Sequence, residues 1–143
     1  MPRFRTFLDW LGLTSEETEF ETWIKARQPV PAIIFPEITD VASPPPNDAV
    51  QPGIFYRVMR LDRPKWTLFL CPCGCGTVIT LSLQTAHRPH WTVRASKDQR
   101  ASMRPSVWRD TGCLSHFWIE DGRVYWCSDT GSRPTIQTPG VDP

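Results

Sequence analysis

The chain lacks a long apolar run: nothing in its 143 residues approaches the roughly eighteen consecutive apolar residues that cross a bilayer as a helix. No membrane is therefore expected as a partner. It also lacks an excess of charge of one sign. Sixteen Lys and Arg stand against fifteen Asp and Glu, a net charge of +1 with both signs interspersed. Nucleic-acid binding draws on clustered basic charge, so no electrostatic case for such a partner exists. A secretory leader is not expected either. MPRFRTFLDWLGL carries basic residues, but Asp9 interrupts its apolar stretch and no small-residue cleavage site follows. The expectation is a cytoplasmic, reducing location, where structural disulfides are rare. Five cysteines are an odd number and cannot all pair internally. Internal repeats at solenoid or propeller periods are absent as well.

Fifteen prolines and seven tryptophans are what the chain has in quantity. The prolines imply long irregular segments, and the tryptophans a small core built from large side chains. LTSEETEFETWIKARQ predicts a short helix. Thr14 caps it, Glu17 completes a capping box, and acidic residues crowd the first turn where the helix dipole favours them. Phe20, Trp23 and Ile24 give it an apolar face, and Pro29 stops it. Pro29, Pro31, Pro36, Pro44, Pro45, Pro46 and Pro52 then exclude a helix or a central strand over 29–53. Within that zone Ile33, Ile34, Phe35 and Ile38 are placed on the body of the protein, and SPPPN reads as an exposed polyproline spacer.

From residue 54 the pattern changes. IFYRVMRL, WTLFLC, TVITLSL, WTVRA, VWR, LSHFWIE and RVYWC are short runs of β-branched and aromatic residues between turn signals. The predicted fold is mainly β: a small antiparallel β domain with a metal knuckle over 54–143, ending in a tail. Residues 1–53 precede it as a helical arm and proline-rich segment.

At 71–76 the chain reads CPCGCG. Cys71, Cys73 and Cys75 fall at the turn between two strand-like runs, where Gly74 and Gly76 let the backbone wrap tightly. Such a knuckle suits structural zinc (Zn2+), which takes four soft or borderline ligands in a tetrahedron. The fourth comes from Cys113, His116 or Cys127. Buried thiols with no metal and redox chemistry are the alternatives, and the pattern is less specific than a paired CxxC…CxxC.

SHFWIEDGRVYWC permits a geometrical reading. Asp121–Gly122 is a strong signal for a two-residue hairpin turn. Counting outward, Glu120 faces Arg123, Ile119 faces Val124, Trp118 faces Tyr125, Phe117 faces Trp126, and His116 faces Cys127. Side chains alternate. Phe117, Ile119, Val124 and Trp126 form the core face, and His116, Trp118, Tyr125 and Cys127 the other. Ser115 and His116, though adjacent, then point opposite ways and make a poor nucleophile–base pair. Cys113 has the parity opposite to His116, which gives Cys113 to the thiolates and leaves His116 for acid–base work or for an ordinary bonded role. Ser106, in RPSVWRD, is the candidate nucleophile, which a neighbouring strand would have to bring to the imidazole. A third group orients the ring: Asp110 is the first choice, with Asp98 or a backbone carbonyl behind it. His87 and His90, in QTAHRPHW, are a further candidate base or metal pair but read mainly as surface residues.

CPCGCG, PSVW and GCLSHFWIEDGRVYW together resemble the BubE proteins of bacterial ubiquitination-like (Bub) operons. The resemblance covers roughly 54–128. It implies a deubiquitinase-like serine peptidase that cleaves after the C-terminal tail of the operon's ubiquitin-like protein, to mature a precursor or release a conjugate. The expected partners are that protein and relatives of E1 and E2 enzymes. The PS motif falls on Ser106, the SHFW motif on Ser115 and His116, and the cysteine motif on Cys71, Cys73, Cys75 and Cys113. Parity makes Ser106 the favoured nucleophile, His116 the base and Ser115 the reserve. The tail is expected along an exposed strand, in a groove walled by Trp118 and Tyr125. The competing functions are a non-catalytic zinc-stabilised module that binds a ubiquitin-like partner, a zinc hydrolase using His116 and His87, and a cysteine peptidase using Cys113 or Cys127.

Overall fold

A computed structural model of the chain describes residues 29–133. The helix expected over 14–28 and the tail beyond 133 lie outside the described residues. The chain divides into two compact units, Met1–Pro31 and Ala32–Pro143, and all the strands below belong to the second.

Among the described residues eight strands make two four-stranded sheets. The first holds β1 (Glu37–Val41), β2 (Ile54–Arg60), β3 (Arg63–Leu70) and β4 (Val78–Ser82) in that order. The second is a meander of β5 (Thr92–Ala95), β6 (Ala101–Trp108), β7 (His116–Glu120) and β8 (Arg123–Trp126). Every pairing is antiparallel except that of β1 with β2. Of the seven predicted runs, each lies on one of β2 to β8. The proline-rich stretch supplies β1, a five-residue edge strand free of proline that fits between Pro36 and Pro44.

Alternation sorts the faces. Phe55, Phe69 and Ile79 point from the first sheet into one core, where they meet Met103, Val107, Phe117 and Ile119 from the second. Phe35 closes this core against Phe55 and Phe69, with ring centroids at 5.8 and 5.4 Å in edge-on geometry. The outer face of the first sheet carries Tyr56, Val58 and Leu68, and Val50 packs with them just after a short 3-10 turn, Asn47–Ala49. Part of the proline-rich stretch thus lies on the β body.

The hairpin of β7 and β8 has the expected register, from Glu120 opposite Arg123 to Phe117 opposite Trp126. Asp121 and Gly122 have φ of 50° and 70°, as a primed turn requires. Gly122 is fixed by more than its φ. A Cβ there would strike the Phe35 carbonyl oxygen and the Arg100 side chain. Its own carbonyl accepts from the amides of Ile34 (2.8 Å) and Phe35 (2.9 Å).

Candidate functional site: two clusters on opposite faces of one strand

At the start of β7 the chain presents Ser115 to one side and His116 to the other. Two clusters result.

On the Ser115 side the sulfurs of Cys71, Cys73, Cys75 and Cys113 all lie within 4.8 Å of one another. The knuckle is tied by the Cys71 amide to the Thr77 carbonyl (2.8 Å) and the Gly74 amide to the Cys71 carbonyl (3.1 Å). Gly74 and Gly76 have φ of +89° and +81°, and their missing Cβ atoms would face open space. Conformation, not crowding, calls for glycine there. The Cys71 sulfur stands 3.4 Å from that of Cys73 and 3.7 Å from that of Cys113. Thiolates bonded to zinc at about 2.3 Å in a tetrahedron stand roughly 3.8 Å apart, so the set fits such an ion closely. Among these thiols, burial pushes Cys71 up to about 12. Burial also opposes ionisation of Cys113, but bonds led by the Ser115 hydroxyl, 3.1 Å away, outweigh it and draw this thiol down to about 6. Contacts with Thr77 lower Cys75. The Arg109 guanidinium adds positive charge, with Nη1 3.5 Å from the Cys113 sulfur.

On the His116 side lies a line of three groups. Ser106 Oγ is 3.0 Å from His116 Nε2, and His116 Nδ1 is 2.6 Å from Asp129 Oδ1. The latter is the geometry of a ring N–H donating to a carboxylate. Trp108 lies flat on the imidazole, with centroids 4.2 Å apart and planes 2° from parallel. The His116 side chain is 12% exposed and that of Asp129 is 45% exposed.

A register shift in β6 delivers the serine. Met103 faces Ile119 and Val107 faces Phe117, so Arg104, Pro105 and Ser106 together oppose Trp118. Bulges of this kind re-aim side chains beside functional sites. Ser106 and Trp108 share the face of His116, while Met103 and Val107 stay in the core. The Trp91 indole N–H donates to the Ser106 carbonyl at 3.3 Å.

Asp129 arrives on the turn after β8. The Cys127 amide donates to the His116 carbonyl (2.9 Å), and the Gly131 amide to the Leu114 carbonyl (2.8 Å). The Thr130 hydroxyl accepts from the His116 amide at 3.0 Å. These bonds lay the turn beside the first residues of β7.

Asp129 takes the position expected of Asp110, which is exposed in the turn after β6. The physical reason is the turn after β8: the Cys127 amide pairs with the His116 carbonyl and the Thr130 amide closes back on the Cys127 carbonyl (3.1 Å), which sets Asp129 beside the ring. Asp98 bonds Arg100 instead, at 3.0 Å. Ser115 is buried and bonded to Cys113, on the far side of its strand from the imidazole. Trp118 and Tyr125 stack on each other at 5.2 Å and are 1% and 5% exposed, so they wall no open groove. His87 is half-buried and not a bare surface residue. Its Nδ1 lies 2.6 Å from Ser82 Oγ, a second Ser–His pair. That hydroxyl also accepts the Gln84 amide at 3.2 Å, and no carboxylate bonds His87 among the described residues.

The family model described as bacterial ubiquitination-like system serine protease (BubE) matches residues 41–127, more than half of the chain, so the chain belongs to that family. No curated protein and no solved structure matches it.

Proposed function

We propose that this member of the BubE family is a serine peptidase in which Ser106 is the nucleophile, His116 the base and Asp129 the orienting acid. The observation that carries the reading is the continuous line from Ser106 Oγ through the ring to Asp129, at 3.0 and 2.6 Å. Of the two Ser–His pairs among the described residues, only this one has a carboxylate bonded to the histidine.

Asp129 accepts a hydrogen bond from Nδ1–H, which keeps the ring proton on Nδ1 and leaves the Nε2 lone pair facing Ser106. That tautomer can take the hydroxyl proton as Oγ attacks an acyl carbon. The imidazolium so formed is held by Asp129 and by the face of Trp108, whose ring quadrupole favours a cation above it. The imidazolium then protonates the leaving amine as the C–N bond breaks. Water, deprotonated by the same nitrogen, hydrolyses the ester on Ser106 and restores the hydroxyl.

The substrate we propose is the C-terminal tail of a ubiquitin-like protein, cut either to mature a precursor or to release a conjugate. Support comes from the family's place in a ubiquitination-like system. Relatives of E1 and E2 enzymes are further partners under this reading. Cys71, Cys73, Cys75 and Cys113 would hold a structural Zn2+, which supplies a cross-link and no chemistry.

The test is cleavage of a ubiquitin-like precursor by wild type, Ser106→Ala and His116→Ala, together with labelling by a fluorophosphonate. We expect one labelled serine, lost in Ser106→Ala, and no turnover in either variant at unchanged fold and metal content. Tight binding with neither turnover nor labelling would instead identify a non-catalytic recognition module.

A further inference from the structure

Cys127 has no part in the peptidase chemistry, yet it stands beside it. It is the residue after β8, directly opposite His116 and buried at 4% exposure. Its sulfur, a nitrogen of His116 and a carboxylate oxygen of Asp129 all lie within 4.8 Å of one another. Sulfur, imidazole nitrogen and carboxylate oxygen are the donor types that zinc takes, and three protein ligands with one open position form a common zinc arrangement. The half-exposed Asp129 gives an ion a way in from solvent.

We propose that His116, Cys127 and Asp129 form a second, inhibitory site for a thiophilic divalent cation such as Zn2+, distinct from the four-cysteine cluster. His116 Nδ1 is the nitrogen that faces Asp129. An ion there takes the Nδ1 lone pair. The imidazole stays neutral, its single proton passes to Nε2, and the Cys127 thiol proton leaves to solvent. Nε2–H now points at Ser106 Oγ as a donor and can no longer accept its proton. The cation therefore switches the enzyme off by fixing the wrong tautomer, without touching the serine. That it inhibits rests on the peptidase reading; that it binds does not.

The experiment compares wild type with Cys127→Ser and Cys127→Ala. Zinc content is measured after equilibrium dialysis against buffered micromolar Zn2+, and turnover is followed across a Zn2+ titration. Thermal melting screens each variant for folding, and the better folded one is used. We expect the variant to hold one zinc per chain fewer than wild type. Its half-inhibition point should move up at least tenfold, with zinc-free turnover within about twofold of wild type. Equal zinc content in wild type and the folded variant overturns the site. A one-equivalent difference in a protein with no turnover keeps the site and removes the peptidase reading. Equal inhibition alongside that difference refutes the switch.

Discussion

Replacing Asp129 by Asn is the sharpest test of the three-group line. The side chain keeps its shape but exchanges a carboxylate oxygen for an amide that can present N–H to His116 Nδ1. Two energies are lost. One is the charge-assisted bond to the imidazolium, seen at 2.6 Å. Such bonds contribute about 1.5–3 kcal/mol, and the 45% exposure of Asp129 puts this one near the lower end. The other is the ring's tautomer. With an amide N–H facing Nδ1, the ring proton goes to Nε2, and restoring the productive form leaves a donor facing a donor, a cost of about 1–3 kcal/mol. Together they remove about 2.5–4.5 kcal/mol of transition-state stabilisation, which lowers kcat roughly 10²- to 10³-fold. The assay is single-turnover cleavage of a ubiquitin-like precursor under saturating enzyme, with Asp110→Asn as the control, expected within about twofold of wild type. A loss under tenfold in Asp129→Asn, with Ser106→Ala inactive, would refute the orienting role. A larger loss in Asp110→Asn than in Asp129→Asn would do so as well.

Further outcomes are expected elsewhere. Chelation of the proposed cluster ion, or Cys73→Ser, should lower Tm and activity together, because an ion cross-linking these cysteines would be part of folding; activity lost from a protein still folded by circular dichroism would contradict a structural role. Gly122→Ala puts a Cβ into the Phe35 carbonyl oxygen at φ +70°. Left-handed backbone alone costs an L-residue about 1–2 kcal/mol, so urea unfolding should show a loss of at least about 2 kcal/mol. Asp121 has its carboxyl held below its usual 3.8, chiefly by its bond to Arg100 and then by Ser96. A depressed carboxyl adds stability that is complete above its unfolded value and is lost as pH falls through the folded one. Asp121→Asn should therefore flatten the acid limb of a stability–pH curve below about pH 4 and leave it parallel to wild type above pH 5; an unchanged acid limb would remove this ion pair from the account.

The hairpin was legible because a primed turn fixes register and alternation fixes faces. Ser115, His116 and Phe117 each pointed where the count put them. The thiol cluster was legible in its knuckle, since Gly74 and Gly76 mark backbone that few other residues adopt. Strand β1 was hidden by the prolines on either side of it, Pro36 and Pro44, and by Asp40, a poor strand residue. That carboxylate is accommodated by Arg57, its direct neighbour on β2, through bonds of 2.7 and 2.9 Å that no local pattern announces. The first half of β6 was hidden as well. ASMR alternates buried Ala101 and Met103 with polar neighbours, but Pro105 reads as a strand end until the register shift absorbs it. Asp129 was missed because its role depends on a turn held by backbone bonds to β7, whereas Asp110 is merely nearer to His116 in sequence.

The register shift in β6 has an arithmetic of its own. Three residues stand where one would complete the ladder, an excess of two. An even excess leaves the in–out phase of the strand unchanged, which is why Met103 and Val107 both reach the same core. Losing or gaining a single residue between them would invert everything downstream and turn Val107 to solvent. Family members that differ in length here should differ by pairs.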